Sequence, residues 1–186
     1  MKKVNLSVEI TEDHPAYQWA KKQSDSVNAM GHIGTHIDCY TKEPNRTDYS
    51  VEAVVVDCRT RMPSASAISS IDLNNKALVL YTSNLETNGY GNDQYGETPT
   101  VLKNDVLDGI LKKNPQFIVI DSYGIGSHGD EHIAFDKRCE ECGCFVIENV
   151  NLTGLVAEHL ALIAISIDSK LASTGKRCDI TGHLTA

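Results

Sequence analysis

Two histidines and an aspartate fall within seven residues in the segment His32-Ile33-Gly34-Thr35-His36-Ile37-Asp38. Imidazole and carboxylate are the ligand types that hold zinc or manganese in a hydrolytic site. A straight strand would spread these three side chains over roughly 20 Å, and a helix would align the histidines but turn Asp38 away. A bend or bulge at Gly34-Thr35 would bring them together, because glycine permits unusual dihedral angles. The segment predicts a metal site on a bent backbone, with three polar residues of a surface loop as the alternative.

The same segment resembles the signature of the metal-dependent cyclase/hydrolase family that includes bacterial kynurenine formamidases and isatin hydrolase. The family pattern His-x-Gly-Thr-His-x-Asp-x-Pro-x-His is kept over its first seven positions. It departs at Tyr40, where the pattern has proline, and at Lys42, where it has histidine. The resemblance implies a swivelling β/β/α (cyclase-like) fold and a metal held by His32, His36 and Asp38.

A second segment, from Cys144 to Leu152, resembles the family's Ile-x-Glu-Asn-x-x-Asn-Leu strand and turn, with Glu148 as a ligand or active-site glutamate. Family members often have a ligand histidine twelve residues before that glutamate, where this chain has Asp136. His132 lies four residues earlier, and in a helix the two would share a face, so either could reach a metal. Because two expected ligand positions are changed, the resemblance favours one Zn²⁺ or Mn²⁺ ion over two.

These residues predict a metal-dependent hydrolase. A bound metal lowers the pKa of a water molecule and polarises a substrate carbonyl. His132 is the candidate proton shuttle, Lys42 would bind a substrate carboxylate or neutralise excess acid, and Glu148 would bridge or flank the metal. The predicted catalytic residues are His132, Lys42 and Glu148, and the predicted metal ligands are His32, His36, Asp38, Glu148 and Asp136.

The predicted substrate is a small amide, formamide or lactam. The most concrete reading is an arylformamidase of tryptophan catabolism, which converts N-formylkynurenine to kynurenine and formate. The alternative is a non-catalytic or differently specialised member of the family that keeps a metal or ligand site. The family resemblance also implies a homodimer or homotetramer.

A second motif competes with this interpretation. Residues Gly124 to Gly129 form a literal Gly-x-Gly-x-x-Gly between a predicted strand and a predicted helix, as in dinucleotide-binding proteins. Asp130 and Glu131 would repel a pyrophosphate at that helix N-terminus, and too little chain follows for the rest of such a fold. The glycines are better explained as a flexible loop beside the metal, with His128 near its tip or simply exposed.

Composition fits an ordinary globular chain. The length of 186 residues predicts one domain over 1–186, and the net charge of -8 argues against nucleic-acid binding. No apolar run is long enough to span a membrane, and the first residues are too polar for a signal peptide, which predicts a cytoplasmic protein. The six cysteines are then expected to be reduced and packed as small hydrophobic residues.

Hydrophobic periodicity predicts more strands than helices, and therefore an α/β fold with a mixed or antiparallel sheet flanked by helices. Residues 83–98, rich in glycine and tyrosine, are expected to form a long loop, typical of a lid or a binding loop. The predicted strands are 4–10, 51–58, 77–81, 116–121, 144–148, 159–168 and 177–184. The predicted helices are 15–23, 100–113 and 130–142, with 62–75 as a connection.

Overall fold

The computed structural model describes residues 2–22, 29–155, 159–170 and 172–185. The strands are Lys2–Asn5 (β1), His36–Asp38 (β2), Asp48–Asp57 (β3), Ala77–Tyr81 (β4), Phe117–Ile120 (β5), Phe145–Glu148 (β6), His159–Ile167 (β7) and Gly175–Thr185 (β8). The helices are Pro15–Lys22 (α1), Ala65–Ser69 (α2), Asn84–Asn88 (α3), Asp93–Glu97 (α4), Asn104–Leu111 (α5) and Asp130–Glu141 (α6), with a 3₁₀ turn at Ala29–His32.

Within the described residues, seven strands form a closed ring in the order β8-β2-β6-β5-β4-β3-β7. The ring closes because β7 pairs with β8, and β1 adds to the far end of the long strand β8. Strands β3 to β6 run parallel to one another, whereas β1, β2, β7 and β8 pair antiparallel with their neighbours. The predicted α/β fold with a mixed sheet is confirmed.

Two apolar layers lie on the two faces of the parallel strands. In β4, Val79 packs in the layer inside the ring, whereas Leu78 and Leu80 pack against the outer helices. Strand β5 alternates in the same way, with Val119 inside and Ile118 outside. Because both faces are buried, these strands read as continuous apolar runs in the sequence.

Some predicted boundaries are wrong for local reasons. β1 ends at Asn5 rather than residue 10, because side-chain oxygens of Asn5 and Thr35 accept the N–H groups of Ser7 and Val8. The helix predicted from residue 100 begins at Asn104. The predicted end of α1, residue 23, lies outside the described residues.

The segment 83–98 is not a structureless loop, as the sequence predicts, but contains the short helices α3 and α4. Helix α4 is capped by the Asn92 side chain, which accepts the N–H of Tyr95 at 3.0 Å. This cap is a recognisable N-terminal signal, because asparagine is among the residues favoured there. The two turns place the tyrosines of this segment beside the motif of residues 32–38, as described below.

All six cysteines are free thiols, and only Cys142 is exposed. Burial raises the pKa of the Cys58 thiol to about 12, so this group packs as a small uncharged side chain. No helix in the described part of the chain is long and apolar enough to cross a membrane.

Candidate metal centre

The motif of residues 32–38 bends at Gly34, as its spacing predicts. The 3₁₀ turn ends at His32, Gly34 has a φ of 68°, and β2 begins at His36. A Cβ atom on Gly34 would lie 2.7 Å from the carbonyl oxygen of Val8, so only glycine fits here. The bend leaves the Nε2 atoms of His32 and His36 each 3.4 Å from Asp38 Oδ1.

Thr35 and Asn149 hold this bend against the end of β6. The Thr35 hydroxyl donates to the carbonyl oxygen of Asn149 and accepts the N–H of Val8, both at 2.7 Å. The Asn149 amide in turn donates to the carbonyl oxygen of Gly34 at 3.0 Å. The sequence points to this threonine only through the motif, since its partners are distant along the chain.

Helix α6 brings a third histidine to the same place. His132 Nε2 lies 3.3 Å from Asp38 Oδ2, 3.3 Å from Asp136 Oδ2 and 3.4 Å from Glu148 Oε1. His132 and Asp136 are one helical turn apart and point the same way, as their spacing predicts for a helix. Six side chains therefore meet, and we call them the metal-ligand cluster: His32, His36, Asp38, His132, Asp136 and Glu148.

The glycines of the Gly-x-Gly-x-x-Gly motif allow this approach. A Cβ atom on Gly124 would lie 2.5 Å from both Glu148 Oε1 and His132 Cε1, and one on Gly126 would lie 2.8 Å from the Cα of His132. The loop thus passes directly against the cluster. Its glycines make room for two of the ligand candidates, which accounts for the motif without a dinucleotide.

Buried oxygen atoms of the cluster make no hydrogen bond within the described residues. These atoms are Asp38 Oδ1, both carboxylate oxygens of Asp136, and Glu148 Oε1, and the same holds for His132 Nδ1. One possible ligand atom from each of Asp38, His132, Asp136 and Glu148 lies within 4.8 Å of the others. Buried carboxylate oxygens without hydrogen bonds are costly unless a cation neutralises them, so a metal ion fits this set of side chains.

Burial and mutual repulsion raise the pKa of two of the carboxyl groups. Burial, with the charges of Asp38 and Asp136, raises the pKa of Glu148 well above its ordinary value. Burial is also the main reason that the pKa of Asp136 rises to about 7. For Asp38, burial is outweighed by the His36 charge, by the hydrogen bond from His132 and by the His32 charge, so its pKa falls. Asp38 is thus the permanent anion of the cluster.

Burial lowers the pKa of a histidine, whereas it raises the pKa of a carboxyl group. Burial alone would lower the pKa of His36, but the neighbouring Asp38 carboxylate raises it above the ordinary value. The pKa of His132 is raised likewise, because the hydrogen bond to Asp38 and the Asp136 charge outweigh burial. Without a metal, the carboxylates therefore retain protons on these imidazoles, and a cation would have to displace them.

Residues 4–127 match the Cyclase family model, which is well over half of the chain. The chain belongs to the Cyclase family. The matched region contains the motif of residues 32–38, whereas α6 and β6, with His132, Asp136 and Glu148, follow it. The comparison with curated proteins finds no match.

Solved structures of Cyclase-like proteins share the fold over the whole chain. Isatin hydrolase A from Labrenzia aggregata, bound to benzyl benzoate, has a TM-score of 0.71 at 11% identity, covering 100% of this chain and 94% of that one. A potential metal-dependent hydrolase with cyclase activity has a TM-score of 0.69 at 15% identity, covering 97% and 96%. A predicted metal-dependent hydrolase from Bacillus stearothermophilus has a TM-score of 0.65 at 15% identity, covering 97% of each.

Lys42 lies apart from the cluster of this Cyclase-family chain. Its side chain is exposed, and its ammonium donates to the carbonyl oxygen of Glu141 at 3.2 Å, near the end of α6. The structure therefore does not bring Lys42 together with the other predicted site residues. His132, by contrast, lies among the three carboxylates of the cluster.

A row of aromatic rings flanks the cluster, and the sequence showed only that tyrosines were frequent there. Tyr90 accepts the N–H of Gly34 at 2.8 Å, and the Tyr95 hydroxyl donates to the Asn149 side chain. Ring contacts continue from Tyr90 to Tyr95, to Tyr123 and to His128, which is stacked on Tyr123 with ring centroids 4.1 Å apart. His128 is exposed, and its Nε2 atom lies 3.1 Å from the carbonyl oxygen of Gly96, a contact that holds the ring in place.

A cavity of about 490 Å³ lies elsewhere, between β3, β4 and the start of β7. None of the cluster residues lines it, and its walls are mainly apolar, including Val55 and Leu155. We assign the chemistry to the metal-ligand cluster, because among the described residues only there do buried carboxylate oxygens without hydrogen bonds converge.

Proposed function

We propose that this Cyclase-family chain is a metal-dependent hydrolase that opens the carbon–nitrogen bond of a small aryl amide, formamide or lactam. The observation that carries the proposal is the convergence of three buried carboxylates and three histidines, with four carboxylate oxygens that make no hydrogen bond within the described residues. Such a set of ligands is typical of hydrolytic zinc and manganese sites.

The cluster offers ligand atoms on two sides. Asp38 Oδ1 faces His32 and His36, and Asp38 Oδ2 faces His132, which is in turn beside Asp136. The expectation of a single ion rests on the loss of ligand positions along the motif, and His132 compensates for that loss in space. The cluster would therefore have enough ligands for two Zn²⁺ or Mn²⁺ ions, with Asp38 and Glu148 contributing to both sides, whereas the sequence predicts one ion.

When bound, such ions lower the pKa of a water molecule and polarise the carbonyl of the substrate. The chain itself must still move protons. Glu148 could carry a proton to the leaving nitrogen only through an oxygen atom that holds no ion. In a centre that uses both of its oxygens as ligands, this role falls to Asp136, neither of whose buried carboxylate oxygens makes a hydrogen bond within the described residues. In this assignment His132 serves as a ligand rather than as the shuttle that the sequence predicts, because its Nε2 atom faces three carboxylates.

The aromatic row supports an aryl substrate. Tyr90, beside the bend at Gly34, and Tyr123 are partly exposed, and the buried Tyr95 lies between them. Aromatic rings pack favourably in offset or edge-to-face contacts. N-formylkynurenine, a formamide of an aromatic amine, and isatin, an aryl lactam, both fit this description. The fold similarity to proteins named as isatin hydrolases adds support for the lactam.

The test is turnover by the metal-loaded protein. N-formylkynurenine, isatin and formanilide would each be offered to protein loaded with zinc or manganese, with His36→Ala as the inactive variant and His159→Ala as its control. His159 is an exposed histidine outside the cluster, so its removal should leave turnover unchanged. We expect hydrolysis of at least one aryl amide, lost in His36→Ala. Full metal loading without turnover of any of the three would indicate a non-catalytic or differently specialised member.

A cytoplasmic location and assembly into a homodimer or homotetramer remain predictions from the sequence. Light scattering on the purified protein would measure the second directly, with a mass near 41 or 81 kDa expected, twice or four times the 20.3 kDa of the chain. A monomer at micromolar concentration would contradict it.

A further inference from the structure

The loop that follows Asp38 is held by a buried carboxylate on α6. One oxygen of Glu140 accepts the N–H of Tyr40 at 2.5 Å, and the other accepts the N–H groups of Thr41 at 2.7 Å and Lys42 at 3.1 Å. The Thr41 hydroxyl also donates to it, and Glu140 is only 1% exposed. Proline, which the family pattern has at position 40, offers no N–H and could not make the first of these bonds.

Glu140 belongs to the same helical face as two of the cluster residues. His132, Asp136 and Glu140 follow one another at intervals of four residues, so they line one side of α6. The helix thus presents two side chains to the cluster and uses the third to fix residues 40–42. This arrangement ties the position of Tyr40 to the helix that carries His132.

The Tyr40 side chain turns toward the cluster, whereas that of Lys42 turns away from it. Tyr40 Oη lies 3.4 Å from Asp38 Oδ2, the oxygen that also faces His132, and the ring is half-buried. The ammonium of Lys137 lies 5.8 Å from the ring centroid and covers its other side. An O–H···O separation of 3.4 Å is longer than a strong hydrogen bond. The Tyr40 hydroxyl can therefore donate instead to an oxygen atom of a ligand that comes closer.

The Tyr40 side chain carries a hydrogen-bond donor at neutral pH, because the phenol of tyrosine ordinarily has a pKa of about 10.

We propose that the Tyr40 hydroxyl donates a hydrogen bond to the carbonyl oxygen of the substrate, with Glu140 as the residue that positions it. This inference rests on the proposed hydrolase function. A donor fixed before the reaction stabilises the negative charge that develops on a carbonyl oxygen during attack. Tyr40 would thus donate a hydrogen bond to the substrate. Proline, which the family pattern has at this position, has no side-chain donor and cannot do so.

The test uses benzohydroxamate, whose carbonyl and hydroxyl oxygens bind a metal side by side, as a mimic of the substrate carbonyl. Its affinity would be measured by calorimetry with zinc-loaded wild type, Tyr40→Phe and Tyr49→Phe. Tyr49 is the matched control, since its hydroxyl contacts Asn45 and the N–H of Arg46 at the exposed surface. We expect about tenfold weaker binding for Tyr40→Phe, the usual effect of losing one hydrogen bond, and no change for Tyr49→Phe. Zinc affinity should stay within about twofold in both.

Three other results would overturn the inference. Equal hydroxamate affinity in Tyr40→Phe and wild type would show that the hydroxyl does not meet the ligand. If weaker zinc binding explained the whole loss of hydroxamate affinity, Tyr40 would act only through its contact with Asp38 and not on the ligand. Failure of zinc-loaded wild type to bind benzohydroxamate would remove the proposed hydrolase site itself, and the inference with it.

A second variant tests the positioning role of Glu140. Glu140→Gln keeps the size of the side chain but removes the charge that three N–H groups share. We expect it to weaken benzohydroxamate binding in the wild-type background and to add little in the Tyr40→Phe background, because both changes act through one contact. Additive losses in the double variant would contradict that role, and the melting temperature would report any general loss of folding.

Discussion

The carboxylates of Asp38 and Glu148 are oriented alike, each with one oxygen toward His36 and the other toward His132. The four N···O distances lie between 3.3 and 3.6 Å. Strand pairing explains this, because β2 lies beside β6 with His36 opposite Glu148, and Asp38 shares a face of β2 with His36. The sheet thus presents two parallel carboxylates to α6, which is the arrangement expected of ligands shared by two ions.

The stability of the metal-free protein should fall as the pH rises from about 6 to about 8. The pKa values of His36 and His132 are raised in the folded protein above their ordinary value of 6.5. Their protonated forms therefore stabilise the fold fully below pH 6.5, and this stability is lost as the pH rises through the pKa values of the folded state. Asp136, with a pKa of about 7 against 3.8, binds a proton that the unfolded chain has already released, so its effect has the same sign.

Thermal unfolding in EDTA at the two pH values measures this effect. Each kcal/mol corresponds to about 2–4 °C in a chain of this length, so we expect a drop of several degrees. The depressed pKa of Asp38 acts only in acid and does not enter this window. With zinc or manganese present the trend should reverse, because metal binding needs deprotonated ligands. A metal-free melting temperature that rises from pH 6 to pH 8 would contradict the account.

Removal of His132 and of Lys42 should have very different effects. His132→Ala deletes the imidazole that faces Asp38, Asp136 and Glu148, and we expect metal affinity to fall by about 100-fold or more, since even outer partners of ligands are worth 10- to 100-fold. Lys42→Ala removes an exposed side chain bound to the Glu141 carbonyl oxygen. It should leave metal affinity and turnover within about twofold. A severe loss of turnover in Lys42→Ala would restore the catalytic role that the sequence predicts for it.

Gly124→Ala should disturb the cluster through simple overlap. Its Cβ atom would meet Glu148 and His132 at 2.5 Å, and the φ of 136° already disfavours a side chain. We expect a loss of about 1–3 kcal/mol in the free energy of unfolding together with weaker metal binding. Gly143→Ala is the control, because its φ of 73° imposes similar backbone strain but no atom lies within 4 Å of the added Cβ. Equal metal affinity in the two variants would show that the glycine loop does not support the ligands.

The sequence predicts those parts of the site that depend on local geometry. The spacing of His32, His36 and Asp38 excludes straight elements and therefore requires the bend that Gly34 makes. The interval between His132 and Asp136 places both on one helical face. The Cyclase-like fold follows from the resemblance of two segments, and the predicted excess of strands over helices agrees with it.

Other parts depend on contacts between distant segments, which local patterns do not reveal. Glu140 and Tyr40 are one hundred residues apart, and their hydrogen bond exists only because α6 crosses the end of β2. The outward turn of Lys42 follows from the same contact. The capping residue Asn92 was a local signal that could have revealed α4, but the glycines around it favoured a loop.

Metal content is the most direct test of the central claim that Asp38 and Glu148 are shared ligands of a two-ion centre. Elemental analysis would compare wild type with Asp38→Asn after incubation with zinc or manganese and removal of the excess. The account predicts close to two equivalents in the wild type and less than one in Asp38→Asn, because this change weakens both sides of the centre. One equivalent in the wild type would limit the centre to a single ion. No bound zinc or manganese in the wild type would contradict the metal centre and the hydrolase built on it.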